Sequence, residues 1–304
     1  MDVRQLEYFL AVVDHGGFNR ASAALYVAQP SLSQSVRALE RDLGAELFHR
    51  IGRRVVLTEA GAALVEPARE AVRGLDLARA AVESVQGLRT GRVDVAALPT
   101  QAIEPLTTMV SGFAARHPAV SVTVRAAFSV RDIVEMVRTG ACELGLVATS
   151  GPLVTADVRV HPVVRQRFVL LAPPGGPFAP GETVGRAGLE GRRVIVGQEG
   201  SGMRRFVDEL REAGVGFEIA VETEHRVSIL PLVLGGAGVA VVTDAWRGLA
   251  ERAGVLVLDI EPADALDVSL VSRRGPLTPA ARAFLDHAVP PPPEASGPPD
   301  TSGA

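Results

Sequence analysis

The first sixty residues constrain the fold most strongly, because their apolar side chains repeat at the spacing of three short helices. The first helix has an apolar face of Leu6, Phe9, Leu10 and Val13. Asn19 is suited to cap a second helix, whose inward residues are Ala21, Ala24 and Leu25. Pro30 opens and Gly44 ends a third helix, whose apolar stripe is Leu32, Val36, Leu39 and Leu43. Residues 26–28 join the last two helices tightly, so the pattern predicts a helix-turn-helix.

The outer face of the third helix carries side chains that suit contact with DNA. In a helix-turn-helix the second of the two helices enters the major groove, where compact polar side chains and arginine can meet base edges and phosphates. With the apolar stripe turned inward, the residues expected to face outward include Ser31, Ser33, Gln34 and Arg37. The candidate DNA-binding residues of this unit are Asn19, Arg20, Gln29, Pro30, Ser31, Ser33, Gln34 and Arg37.

A basic turn follows the third helix. Residues 49–57 are predicted to form two strands joined by a turn at Gly52, which is the pattern of a β-wing. Arg50, Arg53 and Arg54 lie close together and can neutralise backbone phosphates. Taken alone, these residues are better interpreted as a solvated arginine turn. Beside a helix-turn-helix, the three arginines become further candidate DNA-binding residues.

A long helix is predicted after the wing, from a cap at Thr58 to about Leu88. Its apolar stripe alternates spacings of four and three residues through Leu64, Ala68, Ala71, Leu75, Ala78, Val82 and Val85. Such a stripe is typical of a helix that pairs with a partner helix, although packing on its own domain is an alternative. Pro67 lies in the first third of the helix and is expected to bend it.

From Val93 onward, short valine-rich strands alternate with amphipathic helices, which predicts an α/β fold of mostly parallel sheets in two subdomains. The expected strands are 93–98, 119–126, 143–148, 168–172, 193–197, 218–222, 238–242, 255–258 and 266–272. The expected helices include 103–116, 130–139, 202–213, 225–235 and 279–288. Residues 290–304 contain six prolines and no large apolar side chain, so we expect a disordered tail there.

The composition indicates a globular protein and argues against a membrane or secreted one. Hydrophobic residues make up 47% of the chain, which is enough for packed cores. The longest uncharged apolar stretch, 227–243, is interrupted by Pro231 and three glycines and is too short to span a bilayer. The first residues lack the features of a secretory signal, and a lone Cys142 cannot form an internal disulfide. We therefore expect a cytoplasmic protein, whose net charge of −4 does not by itself indicate DNA binding.

The motifs of common enzyme classes do not fit this chain. Ser201 is flanked by Gly200 and Gly202 but lacks the wider pattern of a hydrolase nucleophile elbow. The glycine-rich residues 235–238 precede a strand, whereas a dinucleotide fingerprint follows one. The six histidines have no metal-ligand spacing, so we expect no catalysis, cofactor or metal. The alternative is a solute-binding protein without a DNA function, which would need export and would not need residues 1–61.

The chain resembles the LysR-type transcriptional regulators. In residues 1–61 the resemblance rests on Leu6-Glu7-Tyr8-Phe9, Val12, Phe18, Ala21, Ser22, Leu25, Val27, Gln29-Pro30-Ser31-Leu32-Ser33, Val36, Leu39-Glu40, Leu43-Gly44, Leu47-Phe48, Arg50 and Leu57-Thr58-Ala60-Gly61. Later it includes Gly200-Ser201-Gly202, residues 209–214 and residues 232–239. It implies a sequence-specific, nucleoid-associated regulator that binds promoter DNA, responds to a small and anionic effector, and also has RNA polymerase as a partner.

The resemblance further implies a domain plan. Residues 1–58 would be a winged helix-turn-helix DNA-binding domain, and residues 59–90 a linker helix that pairs two chains in a homodimer, with homotetramers built from dimers. Residues 91–289 would form a periplasmic-binding-protein-like effector domain. Its subdomain I would comprise about 92–162 and 265–289, and its subdomain II about 163–264. The effector is expected between the two subdomains.

Several polar residues are placed to meet an effector, because ligands of α/β sheets bind beyond the carboxyl ends of strands and near helix starts. Thr100, Ser129 and Ser201 each open a helix and can donate from a hydroxyl, although each can equally be only a helix cap. With the resemblance, the candidate effector-binding residues are Pro99, Thr100, Gln101, Ser129, Ala148, Gly200, Ser201 and His225. His225 and the neighbouring Arg226 are weaker candidates than the others. The chain departs from the family pattern at residues 173–180 and at Thr243, where proline is common.

Overall fold

The computed structural model describes residues 1–51, 54–84, 90–262 and 264–289. Arg53 in the predicted wing turn, Val85 in the long stripe and the proline-rich tail 290–304 lie outside the described residues. The side chains of Arg50 and Arg54 also lie outside the description. Within the described part of the chain, no helix is long and apolar enough to cross a membrane.

The N-terminal unit contains three helices and a two-stranded hairpin: α1 (Val3–Asp14), α2 (Phe18–Ala24), α3 (Gln29–Leu43), β1 (Phe48–Ile51) and β2 (Arg54–Leu57). Asp2 caps α1 by accepting from the backbone N–H of Gln5 at 2.8 Å. Gly44 ends α3 in the left-handed conformation, with φ of 66°. The fully buried side chains of Phe9, Leu32 and Leu39 form the centre of the unit's core. The helix-turn-helix prediction is therefore confirmed.

Three details of the N-terminal prediction are wrong. Asn19 lies inside α2, which begins at Phe18 after Gly17, because Phe18 must enter the helix to reach the core. The buried face of α2 is then Phe18, Ala21 and Ser22, which leaves Ala24 and Leu25 exposed. Leu43 at the end of α3 is also exposed, since the helix extends beyond the core at that point.

The long helix α4 (Glu59–Ser84) packs against α1 with its first half. Thr58 caps it by accepting from the backbone N–H of Gly61 at 2.9 Å. Ala68 is buried, and Arg69 forms an ion pair with Asp14 of α1. From the middle of α4 onward, Ala71, Ala78 and Val82 of the apolar stripe are exposed, and Val82 keeps 70% of its surface accessible.

The first part of the C-terminal region is built from β3 (Gly91–Ala97), α5 (Pro99–Ile103), α6 (Leu106–Arg116), β4 (Val120–Ala126), α7 (Val130–Arg138) and β5 (Leu144–Thr149). These strands are parallel, with β3 between β4 and β5. The predicted helix 103–116 corresponds to α6, which begins at Leu106, while α5 is a separate short helix that ends at Ile103. Phe113 and Leu144 are fully buried in the core that covers one face of this sheet.

The chain continues with β6 (Val158–Ala172), β7 (Thr183–Gly185), β8 (Arg193–Gly197), α8 (Gly202–Glu212), β9 (Glu218–Thr223), α9 (Ile229–Leu234), β10 (Val239–Thr243), α10 (Arg247–Arg252), β11 (Leu256–Glu261), β12 (Ala265–Arg273) and α11 (Pro279–Ala288). The end of β6 and the elements from β7 to β11 form the second part, whereas β12 and α11 return to the first part, where β12 pairs with β5 and Phe284 of α11 is buried in the core. A 3-10 turn at Arg226–Ser228 precedes α9. Trp246 and Leu170 are fully buried in the core of the second part.

One strand connects the two parts. The first ten residues of β6 pair with β12, whereas its last five pair with β10 and β11. The sequence predicted only the end of β6, because residues 158–167 include Pro162 and three arginines. Pro162 is tolerated because the pairing with β12 shifts register between Val268 and Ser269. The α/β architecture with a helix-turn-helix and a long linker helix is confirmed.

Two glycines of α4 allow a matched test of packing in the N-terminal unit. A Cβ at Gly61 would lie 2.1 Å from the carbonyl oxygen of Leu47, whereas a Cβ at Gly74 would meet nothing within 4 Å. We expect Gly61→Ala to destabilise the unit by about 3 kcal/mol, since backbone must move. Gly74→Ala should be neutral or stabilise by up to about 1 kcal/mol.

The transition midpoint of each full-length variant is measured by thermal unfolding, with circular dichroism as the signal. Equal transition midpoints for the two variants would contradict the close approach of α4 to Leu47.

Candidate DNA-reading face and effector cavity

The outer face of α3 presents a compact polar surface. Ser31, Gln34 and Arg37 are exposed, Pro30 is exposed beside them, and Gln29 is half-buried at the start of the helix. The core side chains Leu32, Val36 and Leu39 hold the opposite face. These exposed groups can donate to and accept from base edges.

Ser33 does not belong to this surface. Only 8% of it is exposed, and it lines a depression together with Phe18 and Phe48. The buried face of α3 is therefore wider than the apolar stripe indicated, because a small hydroxyl fits beside Phe18. The expectation that Ser33 faces outward is wrong.

The neighbouring elements frame the α3 face. Asn19 and Arg20 are exposed on α2, and the Arg20 guanidinium donates to the carbonyl oxygen of Gly16 at 2.6 Å. Strands β1 and β2 form an antiparallel hairpin in which Ile51 pairs with Arg54. The Glu40 carboxylate of α3 accepts from the backbone N–H of Leu47 at 2.9 Å. This bond fixes the hairpin relative to α3.

A cavity of about 220 Å³ lies where the two parts of the C-terminal region face each other. Seven of the eight candidate effector-binding residues line it: Pro99, Thr100, Gln101, Ser129, Ala148, Gly200 and Ser201. They come from the carboxyl ends of β3, β5 and β8 and from the starts of α5, α7 and α8. The structure thus brings together residues that are up to 102 positions apart in the sequence.

Two of the candidate hydroxyls act as helix caps. The Ser129 hydroxyl oxygen accepts from the backbone N–H of Asp132 at 3.0 Å. The Ser201 hydroxyl accepts from the backbone N–H of Arg204 at 3.2 Å and donates to the carbonyl oxygen of Gln198 at 3.0 Å. Ser201 therefore has its donor engaged within the protein.

Thr100 and Gln101 form side-chain hydrogen bonds with later elements of the chain, and the bond of Thr100 crosses between the two parts. The Gln101 side-chain amide donates to the Gln166 side-chain oxygen at 3.5 Å, and Gln166 donates to the carbonyl oxygen of Glu104 at 3.2 Å. The Thr100 hydroxyl oxygen accepts from the Arg226 guanidinium at 3.0 Å. The α5 segment is therefore held against β6 and against the turn after β9.

His225 lies outside the cavity, whereas Arg226 lines it. His225 borders a second depression with Phe128, Glu199 and Glu224. The backbone N–H of His225 donates to the Thr223 hydroxyl at 3.0 Å, and the 3-10 turn then directs the next side chain toward Thr100. The sequence did not distinguish the two residues, because neighbouring positions in a turn have no periodic pattern. It also did not indicate Met203, Thr243 and Leu266, which line the wall as well.

The described residues contain no group of three or more histidine, cysteine, aspartate or glutamate side chains that could hold a metal ion. Residues 3–62 match the family model described as bacterial regulatory helix-turn-helix protein, lysR family. Residues 86–290 match the model described as LysR substrate binding domain. The chain belongs to the LysR-type transcriptional regulators. This membership makes it a regulator with a DNA-binding and an effector-binding part, and not an enzyme.

Relatives of this LysR-type regulator carry regulatory names. It is 29% identical over 291 residues to the RuBisCO operon transcriptional regulator of Allochromatium vinosum, covering 94% of this chain and 95% of that one. It is 34% identical over 240 residues to a probable hydrogen peroxide-inducible genes activator of Mycobacterium avium, covering 78% and 76%. Its fold matches that of CbnR, solved in complex with its target DNA, with a TM-score of 0.64, 23% identity and coverage of 95% and 99%.

The single cysteine of this LysR-type regulator is in an unreactive environment. Cys142 is buried beside Ile133 and Val147, and this burial raises the pKa of the thiol to about 12. At pH 8 only about one thiol in 10,000 would be ionised, and the thiolate is the reactive form.

We therefore expect a disulfide reagent such as Ellman's reagent to label the folded protein slowly at pH 8. The same protein unfolded in urea should react at least about 100-fold faster, since its thiol regains an ordinary pKa and becomes accessible. Fast labelling of the folded chain would show that Cys142 is accessible.

Proposed function

We propose that this regulator binds a partly palindromic promoter site, with the α3 helices of two protomers in successive major grooves about 34–36 Å apart. The observation that carries the proposal is the exposed face of Ser31, Gln34 and Arg37, which the buried side of α3 holds in a fixed orientation. These residues would read base edges, helped by Gln29 and Pro30 at the helix start.

Other residues would contact the phosphates of the same site. Asn19 and Arg20 flank the reading face on α2, and their exposure supports this role. Arg50, Arg53 and Arg54 of the wing would neutralise adjacent phosphates and make the affinity depend on salt.

The long helix supports the proposed pairing of two copies. From its middle onward, Ala71, Ala78 and Val82 expose an apolar stripe at helical spacing. An antiparallel partner helix would cover that stripe in a homodimer, and two dimers would give a homotetramer. The proposed division assigns residues 1–58 to DNA binding, 59–90 to pairing and 91–289 to effector binding, in a cytoplasmic, nucleoid-associated protein that acts on RNA polymerase.

The cavity between the two parts is the proposed effector site. Its walls come from both parts, so a bound molecule would favour one relative arrangement of them and thereby one DNA-bound state. Similarity to a peroxide-inducible activator favours peroxide as a second candidate signal. The burial of Cys142 weighs against thiol-based peroxide sensing.

Substitutions on α3 test the reading face. Gln34→Ala or Arg37→Ala should weaken binding to the intergenic DNA upstream of the gene by about 1–3 kcal/mol, because each removes a base or phosphate contact. Fluorescence anisotropy with scrambled competitor DNA at several salt concentrations measures the loss. Arg252→Ala, at an exposed position of α10, is the control. Parent-like affinity of both α3 variants would rule out α3 as the reading helix.

Thr100 tests the effector site. Thr100→Val keeps the side-chain shape but removes the hydroxyl that faces the cavity wall and Arg226. The variant should bind promoter DNA yet lose the response to any metabolite that alters the mobility shift of the parent. Thr107→Val is the matched control, because the Thr107 hydroxyl donates to the carbonyl oxygen of Ala102 and neither residue lines the cavity. A normal response of Thr100→Val would place the effector elsewhere.

A further inference from the structure

The cavity contains an unbalanced positive charge. The Arg226 guanidinium donates to the Thr100 hydroxyl at 3.0 Å and lies 3.8 Å from the Met203 sulfur. Across the residues that the structure describes, no carboxylate lies within ion-pair distance of Arg226. Arg204 shows the contrast, since it pairs with Asp208 at 2.8 Å and with Glu222 at 3.0 Å.

Partial burial of this charge costs desolvation free energy, and no negative charge in the described structure offsets it. Desolvation lowers the pKa of Arg226, and it is the one cause acting on that group. A guanidinium nevertheless stays protonated near neutral pH, so the side chain remains a cation in a poorly solvated wall. A negatively charged ligand would offset the cost with charge-assisted hydrogen bonds.

Thr243 provides a second, independent observation. It ends β10, is fully buried and forms part of the wall of the same cavity. Its hydroxyl has no hydrogen-bond partner among the described residues. Buried hydroxyls are normally satisfied, and an orphaned one is destabilising unless a bound group completes it.

The remaining wall determines what kind of anion fits. Leu98, Met203 and Leu266 provide apolar surface. Arg205 and Glu224 also line the cavity, and Glu199 borders the adjoining depression. With Arg205 and Arg226 against Glu224, the wall has one net positive charge, which a single carboxylate balances and a doubly charged anion such as phosphate exceeds.

We propose that the cavity binds a small organic monocarboxylate, which Arg226 and Thr100 hold from opposite parts of the effector region while Thr243 donates to a further oxygen of the ligand. The apolar body of the ligand packs against Leu98, Met203 and Leu266. This inference rests on the proposed function, because it names the chemical class of the effector. It also assigns Arg226 and Thr243 as binding residues.

Thermal-shift and calorimetric titrations of the full-length protein test the charge. The probes are acetate, propionate, butyrate and benzoate, compared with their neutral amides and with inorganic phosphate at matched ionic strength. We expect at least one carboxylate to raise the melting temperature more than its amide and more than phosphate. No such difference for any of the four pairs overturns the proposal.

Variants of Arg226 test whether its guanidinium binds the carboxylate. Arg226→Gln should weaken carboxylate binding at least about tenfold, and Arg226→Lys should retain part of it because it keeps the charge. Arg252→Gln, at an exposed position of α10, should bind carboxylate like the parent. If Arg226→Gln fails to fold, Arg226→Lys decides instead, since an affinity equal to that of the parent would show that the guanidinium hydrogen bonds do not hold the ligand. Unchanged affinity in Arg226→Gln overturns the assignment.

Thr243→Val distinguishes a ligand-binding role of the Thr243 hydroxyl from a structural role. Removal of an unsatisfied hydroxyl should leave the melting temperature of the ligand-free protein equal or higher, while affinity for the carboxylate probe falls about threefold or more. Unchanged carboxylate affinity excludes Thr243 from the site.

Promoter binding of the parent is measured in parallel. Specific DNA binding without carboxylate selectivity defeats only this inference, whereas loss of specific DNA binding defeats the proposed function.

Discussion

The shared strand β6 is the constraint on which the effector region depends. It begins in one core by pairing with β12 and ends in the other by pairing with β10 and β11. Because one continuous strand takes part in both cores, the two parts cannot separate at this point. They can differ in how their free edges approach each other across the cavity. That geometry explains why the cavity wall draws on strand ends from both parts.

Helix α7 lies between the cavity and the long helix α4. Its first turn is capped by Ser129, which lines the cavity. Its last residue, Arg138, forms an ion pair with Glu66 of α4 at 2.6 Å. Nine helical residues span about 13.5 Å, and helices transmit displacement with little deformation. The cavity and α4 are therefore in contact with opposite ends of one rigid element.

The prediction from sequence succeeded where a periodic pattern controls burial. The three N-terminal helices, the α4 cap at Thr58 and most strands follow from such patterns. It failed where burial depends on a neighbour distant in sequence, as for Ser33 beside Phe18. It missed the start of β6, because Pro162 is acceptable only with the register shift in β12. Seven cavity residues were predicted from strand ends and the family resemblance. Arg226 was only a weaker candidate from the sequence, and the position of Thr243 in the wall required the three-dimensional arrangement.

The contact between α7 and α4 also depends on the backbone at the end of α7. The Arg73 guanidinium of α4 donates to the carbonyl oxygen of Thr139 at 3.2 Å. Gly140 follows with φ of 74°, and a Cβ there would lie 1.2 Å from an Arg73 nitrogen. A side chain at position 140 would therefore have to displace Arg73 from the end of α7. Because the left-handed conformation also favours glycine, both backbone geometry and packing select the same residue at this junction. Gly140 thus allows Arg73 to reach the end of α7, where the ion pair between Arg138 and Glu66 also joins α4 to the effector region.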